Sequence, residues 1–138
     1  MDERRAERGG KLVSSFEPPK CTSLRSIDPC VAELVLDLLT QCSEAGLPLV
    51  IVEARRSSDR QAWLWASGRT RIGPILTHAR PGTSRHESGR AVDLAFKTPA
   101  GPSWTGDWAT VGAIAERLGA TWGGRWKLAD MGHVEWPQ

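Results

Sequence analysis

Apolar residues recur at helical spacing along one long stretch of the chain. Val31, Leu34, Val35, Leu38, Leu39 and Cys42 fall on a single stripe. Asp28-Pro29 ahead of them offers an N-cap followed by proline at the first helical position, and Gly46 stops the run. The pattern predicts an amphipathic helix whose stripe is core. Leu49-Val50-Ile51-Val52 reads as a buried strand. Ser57 or Ser58 can cap a second helix that runs through Trp65 and ends at Gly68, and a Gly/Pro-rich loop covers Gly73 to Gly82. Ala91-Val92-Asp93-Leu94-Ala95-Phe96 reads as a strand, and Thr98 to Gly106 as a loop. Trp108, Val111, Ile114, Ala115 and Leu118 make a third helix closed by Gly119. Two short strands finish the chain, near Thr121-Trp122 and His133-Val134-Glu135-Trp136. No internal repeat is present. Helices and strands mix without a regular βαβ alternation, so the fold class expected is α+β.

The chain has 138 residues, room for one domain with a core that needs no disulfide staples. Residues 1–20 are charged and end in Pro18-Pro19. They read as an N-terminal arm, poorly ordered or laid on the surface, ahead of a single domain over residues 21–138. The net charge is +2, too small to point to nucleic acid, which calls for a clustered basic face. Seven Trp and no Tyr supply large flat apolar surfaces for core and cleft alike. No apolar run follows the charged N-terminus, so the expectation is a protein made in the cytoplasm without a signal peptide. No stretch approaches the roughly 20 apolar residues of a membrane span. Cys21, Cys30 and Cys42 are odd in number, match no common zinc spacing and read as buried structural thiols.

The chemistry is concentrated in two places. In Ser84-Arg85-His86-Glu87-Ser88-Gly89-Arg90-Ala91-Val92-Asp93 a His stands just before a strand and an Asp inside it. Asp is a poor strand former, and a buried unpaired carboxylate is expensive. Asp93 therefore needs a partner, either a metal ion or one of the many Arg. The second place is Asp130-Met131-Gly132-His133. A carboxylate three residues before a His can set a base beside the water of a metal site, or it can simply be a polar turn entering the last strand. Two His nitrogens and one carboxylate oxygen leave a fourth position open, the pattern of a catalytic zinc site.

S-x-H-x-x-G-x-A-x-D followed by D-x-x-H resembles the peptidoglycan-cleaving zinc peptidases. That family unites D-alanyl-D-alanine carboxypeptidases, vancomycin-resistance D,D-dipeptidases and phage L-alanyl-D-glutamate endopeptidases. The likeness runs from about Leu24 to Trp136. It includes Arg56-Ser57 with Gln61, Gly68-Arg69-Thr70, Arg80-Pro81-Gly82 and Gly123-Gly124-Arg125-Trp126. The short chain and the D-x-x-H version look most like the endopeptidase branch of phage endolysins.

The resemblance implies a small, mainly antiparallel sheet flanked by helices, with the zinc site on the sheet's open side. It implies one zinc ion on His86, Asp93 and His133, with Asp130 as general base and Arg56 stabilising the developing oxyanion or holding substrate oxygen. Ser84, Gln61 and Trp126 become substrate-binding candidates, and Gly89 lets its loop pass close to the metal. His78 stands where relatives often carry Asn and is read as a non-ligand. Arg55 takes a place where relatives often have an aromatic, which bears on the cleft floor. Glu135 shares a strand face with His133 by period two, so it is a supporting partner of that residue or a rival base. The implied substrate is the peptidoglycan stem peptide, cut between L-Ala and D-Glu by a monomeric enzyme that reaches the wall through a holin-type pore and lyses the cell. The rivals are a D,D-carboxypeptidase or dipeptidase, and a zinc-bearing wall-binding domain without activity.

Overall fold

The structure is a computed structural model that describes residues 5–8, 11–14 and 16–137. The arm expected over residues 1–20 lies in part outside them. Its described backbone forms an antiparallel pair, β1 (Arg5–Arg8) and β2 (Lys11–Ser14), with β2 running beside the second helix.

Helix α1 (Pro29–Glu44) starts where the sequence predicts. The Asp28 carboxylate accepts from the Cys30 and Val31 amides, and Pro29 occupies the first turn, where no amide is missed. Gly46 ends it at φ +81°, a conformation that costs glycine nothing. Helix α2 (Ser58–Ala66) is capped by Ser57 and helix α3 (Trp108–Arg117) by Asp107.

Five strands make the main sheet: β3 (Leu49–Glu53), β4 (Ala91–Thr98), β5 (Gly101–Ser103), β6 (Thr121–Trp122) and β7 (His133–Glu135). The order is β3-β4-β7-β6, with β5 hairpinned onto the end of β4, and every pairing is antiparallel. The α+β expectation holds. The loop expected from Thr98 to Gly106 is in part a strand. Gly-Pro-Ser carries no strand signature, but an edge strand tolerates Pro102, and Thr98 closes the turn through its hydroxyl on the Gly101 carbonyl, 2.6 Å away.

Alternation along β4 divides the sheet's two faces. Val92, Leu94 and Phe96 join the core with Val31, Val35, Leu38 and Cys42 of α1 and Val111, Ile114 and Ala115 of α3. Asp93 points the other way. Helices α1 and α3 therefore seal one face, and the polar residues of β4 and β7 share the opposite one. Of the three free cysteines only Cys42 is buried, its thiol pushed up to about 11 by desolvation. Cys21 is half-buried and Cys30 exposed, so the buried structural reading holds for Cys42 alone. Among the described residues no helix is long and apolar enough to cross a membrane.

Candidate active site

Sheet register builds the site. Asp93 on β4 pairs with Glu53 on β3 at one side and with His133 on β7 at the other, so three polar residues lie in a row across three strands. His86 comes from the turn before β4. Two backbone contacts from the β3–α2 connection hold it: the Arg56 amide donates to the His86 carbonyl at 3.0 Å, and the ring Nδ1 donates to the Ala54 carbonyl at 2.9 Å. The turn itself is tied by Ser84, whose hydroxyl accepts from the His86 amide at 3.1 Å. Glu87 adds to it, its carboxylate accepting from the amides of Gly82 and Ser84.

The proton positions follow from the partners. Ala54 offers only a carbonyl, so His86 Nδ1 carries the hydrogen and Nε2 presents a lone pair. His133 Nε2 lies 2.8 Å from Glu135 Oε1. The His133 hydrogen bond holds Glu135 below the usual carboxylate range against the effect of burial, so this carboxylate is an acceptor and His133 Nδ1 is the free nitrogen. Both free nitrogens converge on Asp93 Oδ1, at 3.2 Å from His86 and 3.1 Å from His133. Two lone pairs and an anionic oxygen repel one another unless a proton or a cation lies among them.

When no cation is present, a proton on the imidazole side meets that need. Burial opposes the Asp93 charge, but hydrogen bonds from His133 and His86 outweigh it and hold the carboxyl far below its ordinary range. Burial likewise opposes protonation of His133, and its bonds to Asp93 and Glu135 overcome it, pushing the imidazole up to about 9. The three ligand atoms lie within 4.8 Å of one another, and among the described residues no other group of His, Cys, Asp and Glu is so placed. Two imidazoles and a carboxylate, each imidazole with its far nitrogen already bonded to an oxygen, form a donor set suited to zinc.

The surrounding residues divide by position. Asp130 is exposed at the rim, in a turn closed by its own amide on the Gly123 carbonyl at 2.9 Å and by the His133 amide on its carbonyl. A side chain at Gly123 would strike the Asp130 carbonyl at 2.6 Å, so this approach requires glycine. Desolvation and the nearby Asp93 charge raise the Asp130 carboxyl, while His133, His86 and Arg56 pull it down. Trp126, 41% exposed, lays its ring 4.8 Å from that of His133 and walls this side. Arg56 is nearly buried and brings Nη2 to 3.6 Å from Asp93 Oδ2.

Other candidates lie outside the trio. Gln61 was a substrate-binding candidate, but it is 0% exposed. Its Oε1 accepts from Arg56 Nη1 at 2.8 Å, and its Nε2 donates to the Ala79 carbonyl and to Thr77 Oγ1. An amide so enclosed braces Arg56. Gly89, at φ +75°, passes closely over Ile27 and Asp28 and donates its amide to the His86 carbonyl at 3.3 Å. Arg55 turns to Ser26 instead of the cleft floor. His78 is exposed and lies outside the His86–Asp93–His133 cluster. Glu53, buried against Arg56, is the residue the sequence reading missed; its only signal was a charge three residues before Arg56 at the end of an apolar strand.

Comparison with known proteins decides the family. The chain is 35% identical over 121 residues to the peptidoglycan L-alanyl-D-glutamate endopeptidase CwlK of Bacillus subtilis strain 168, covering 79% of this chain and 72% of the relative. The chain belongs to the peptidoglycan-cleaving zinc peptidases. A family model described as D-alanyl-D-alanine carboxypeptidase matches residues 77–136, which hold His86, Asp93, Asp130 and His133. The Serratia marcescens L-Ala D-Glu endopeptidase ChiX superposes with a TM-score of 0.63 at 27% identity, over 86% of this chain and 90% of that one. The vancomycin resistance D,D-pentapeptidase VanY from a VanB-type cassette, solved with Zn(II), shares the fold at a TM-score of 0.60 and 16% identity, over 98% of this chain and 79% of that one. This family member is thus a peptidoglycan peptidase with a candidate His-Asp-His metal site on the face of its sheet opposite α1 and α3.

Proposed function

We propose that the chain is a zinc-dependent endopeptidase that hydrolyses the L-alanyl-D-glutamate bond of the peptidoglycan stem peptide. The observation that carries this reading is the convergence of His86 Nε2, Asp93 Oδ1 and His133 Nδ1, in a chain whose 35%-identical relative is named for that activity. Zinc held by such a set acts as a Lewis acid and lowers the pKa of a water ligand to about 7.

The remaining work falls to side chains. Asp130, its carboxyl raised by desolvation and by Asp93, takes the proton of the attacking water and passes it to the leaving amine. Arg56 offers guanidinium N–H groups to the oxygen that becomes negative as the carbonyl is attacked. Trp126 forms an apolar wall for the peptide beside His133. Ser84, half-buried with its hydroxyl bonded to the His86 amide, braces the turn that carries His86.

A D,D-carboxypeptidase or dipeptidase is the second reading, favoured by the description of the matching family model. Product analysis on intact sacculi separates the two. New D-Glu N-termini support the endopeptidase, and released D-Ala without them overturns it. The lytic role expected from the sequence extends the same proposal, since cutting stem peptides unlinks the wall. Permeabilised cells should lose turbidity with the protein and keep it when a chelator is present; clearing by chelated protein counts against the zinc reading.

A further inference from the structure

The β3–β4 register shifts between Ile51 and Glu53. Ile51 pairs with Leu94 on the helix face, yet Glu53 pairs with Asp93 on the site face. Regular pairing would set Glu53 opposite Val92, in the core. The extra residue in β3 therefore delivers a carboxylate to the site side of the sheet, where bulges commonly re-aim a side chain. Glu53 is 2% exposed. Its two oxygens grip the Arg56 guanidinium from one edge, Oε2 to Nε at 3.2 Å and Oε1 to Nη2 at 2.8 Å. The same carboxylate accepts from Arg60 Nε at 2.6 Å, and Arg60 is closed from outside by Glu17 at 2.6 Å and the Pro18 carbonyl at 3.2 Å.

A buried ion pair is weak evidence for stability, because desolvating the charges offsets their attraction. Its geometry here has a directional effect. With Nε and one hydrogen of Nη2 on Glu53, and one hydrogen of Nη1 on Gln61 Oε1, the guanidinium is fixed in plane and in rotation. Without Glu53, the nearest carboxylate to Nη2 is Asp93 Oδ2 at 3.6 Å, and Arg56 would be drawn onto a residue of the metal-binding trio.

We propose that Glu53 is a positioning residue for the peptidase reaction: by holding the Arg56 guanidinium edge-on, it keeps that cation beside the site and off Asp93. The proposal rests on the reading that Arg56 acts on the substrate. It predicts that Glu53 acts through Arg56 and through nothing else in the reaction.

A double-mutant cycle at saturating zinc tests it, with kcat and KM measured on a soluble stem-peptide fragment and folding followed by thermal melts. Glu53→Gln should lower kcat by about 10²-fold, the scale of a misplacement near 1 Å, with KM little changed. In an Arg56→Lys background the same substitution should have almost no further effect on kcat, while still lowering the melting temperature. Losses in kcat that multiply across the cycle would show a structural role only and overturn the proposal. Wild-type kcat in Glu53→Gln beside a slow Arg56→Lys would also overturn it and leave the Arg56 reading standing. Wild-type kcat in Arg56→Lys and Arg56→Ala would remove the Arg56 reading itself. Glu53→Asp, which keeps the buried charge but withdraws it by one methylene, covers the case in which the Gln variant does not fold. It should lose kcat in the wild-type background and not in the Arg56→Lys one, and a loss in both rejects the idea.

Discussion

The His133 imidazole is held by its own strand: Glu135, two residues on and on the same face of β7, takes the Nε2 hydrogen at 2.8 Å and leaves Nδ1 aimed at Asp93. This contact fixes both the tautomer and the ring orientation of a candidate ligand. Glu135→Gln keeps an oxygen at the position but removes the charge that makes the imidazole more basic. Zinc affinity should fall by about 10- to 100-fold, with kcat close to wild type once zinc saturates. Competition with a chelator dye checks the first expectation. A variant with wild-type affinity would return Glu135 to being only a strand residue, and one with collapsed kcat at full zinc would make it the rival base.

Much of this arrangement was legible in the sequence, for identifiable reasons. α1 was readable because Asp28, Pro29, the apolar stripe and Gly46 all specify the same helix. Asp93 stood out because a carboxylate inside an apolar strand departs from what that pattern prefers, whereas His86, Asp130 and His133 stood out through the resemblance carried by their motif spacing. Glu53 was not, because its face is set by a register shift that depends on pairing with β4. The Ala54 carbonyl that orients His86 is backbone and leaves no trace in residue identity. The burial of Gln61 was not legible, because the apolar residues of this short helix cluster over Ala62–Ala66 and mark no single inward side; its contacts with Arg56 and the Ala79 carbonyl do.

Metal removal should act on stability as well as on turnover. A ligand that binds only the folded chain stabilises it by about 2.7 kcal/mol at 100 times its Kd. Zinc should therefore raise the melting temperature of chelator-treated protein by several degrees, and magnesium should not, since nitrogen donors suit zinc better. His86→Ala and His133→Ala should lose both the shift and the activity. Full activity in either variant, with no bound metal, would reject this trio as the zinc site.

Asp130 should separate from the ligands in the same assays. It sits at the rim beside the trio, with its carboxyl raised by desolvation and by Asp93. Asp130→Asn should retain near-normal zinc content while kcat drops by roughly 10²-fold or more, the scale of a lost acid–base group. If zinc content falls with it, Asp130 belongs among the ligands and the base must be sought elsewhere.

Acid should probe the Glu53 cluster. Burial favours the neutral acid at Glu53, but hydrogen bonds and charges from Arg56 and Arg60 prevail and hold its pKa below the ordinary glutamate value. A carboxylate with a lowered folded pKa gives up stability as pH falls. Its contribution is complete above the unfolded pKa of about 4.3 and disappears as pH drops through the lower folded value. Protonation would leave two buried guanidinium groups sharing a neutral acid. The urea midpoint of wild type should therefore decline steeply below about pH 4.3, and Glu53→Gln, already lacking that charge, should start lower and decline less. Parallel acid slopes for the two proteins would mean that Glu53 has no lowered pKa in the fold, and that the Arg56–Glu53–Arg60 ion cluster does not form as drawn.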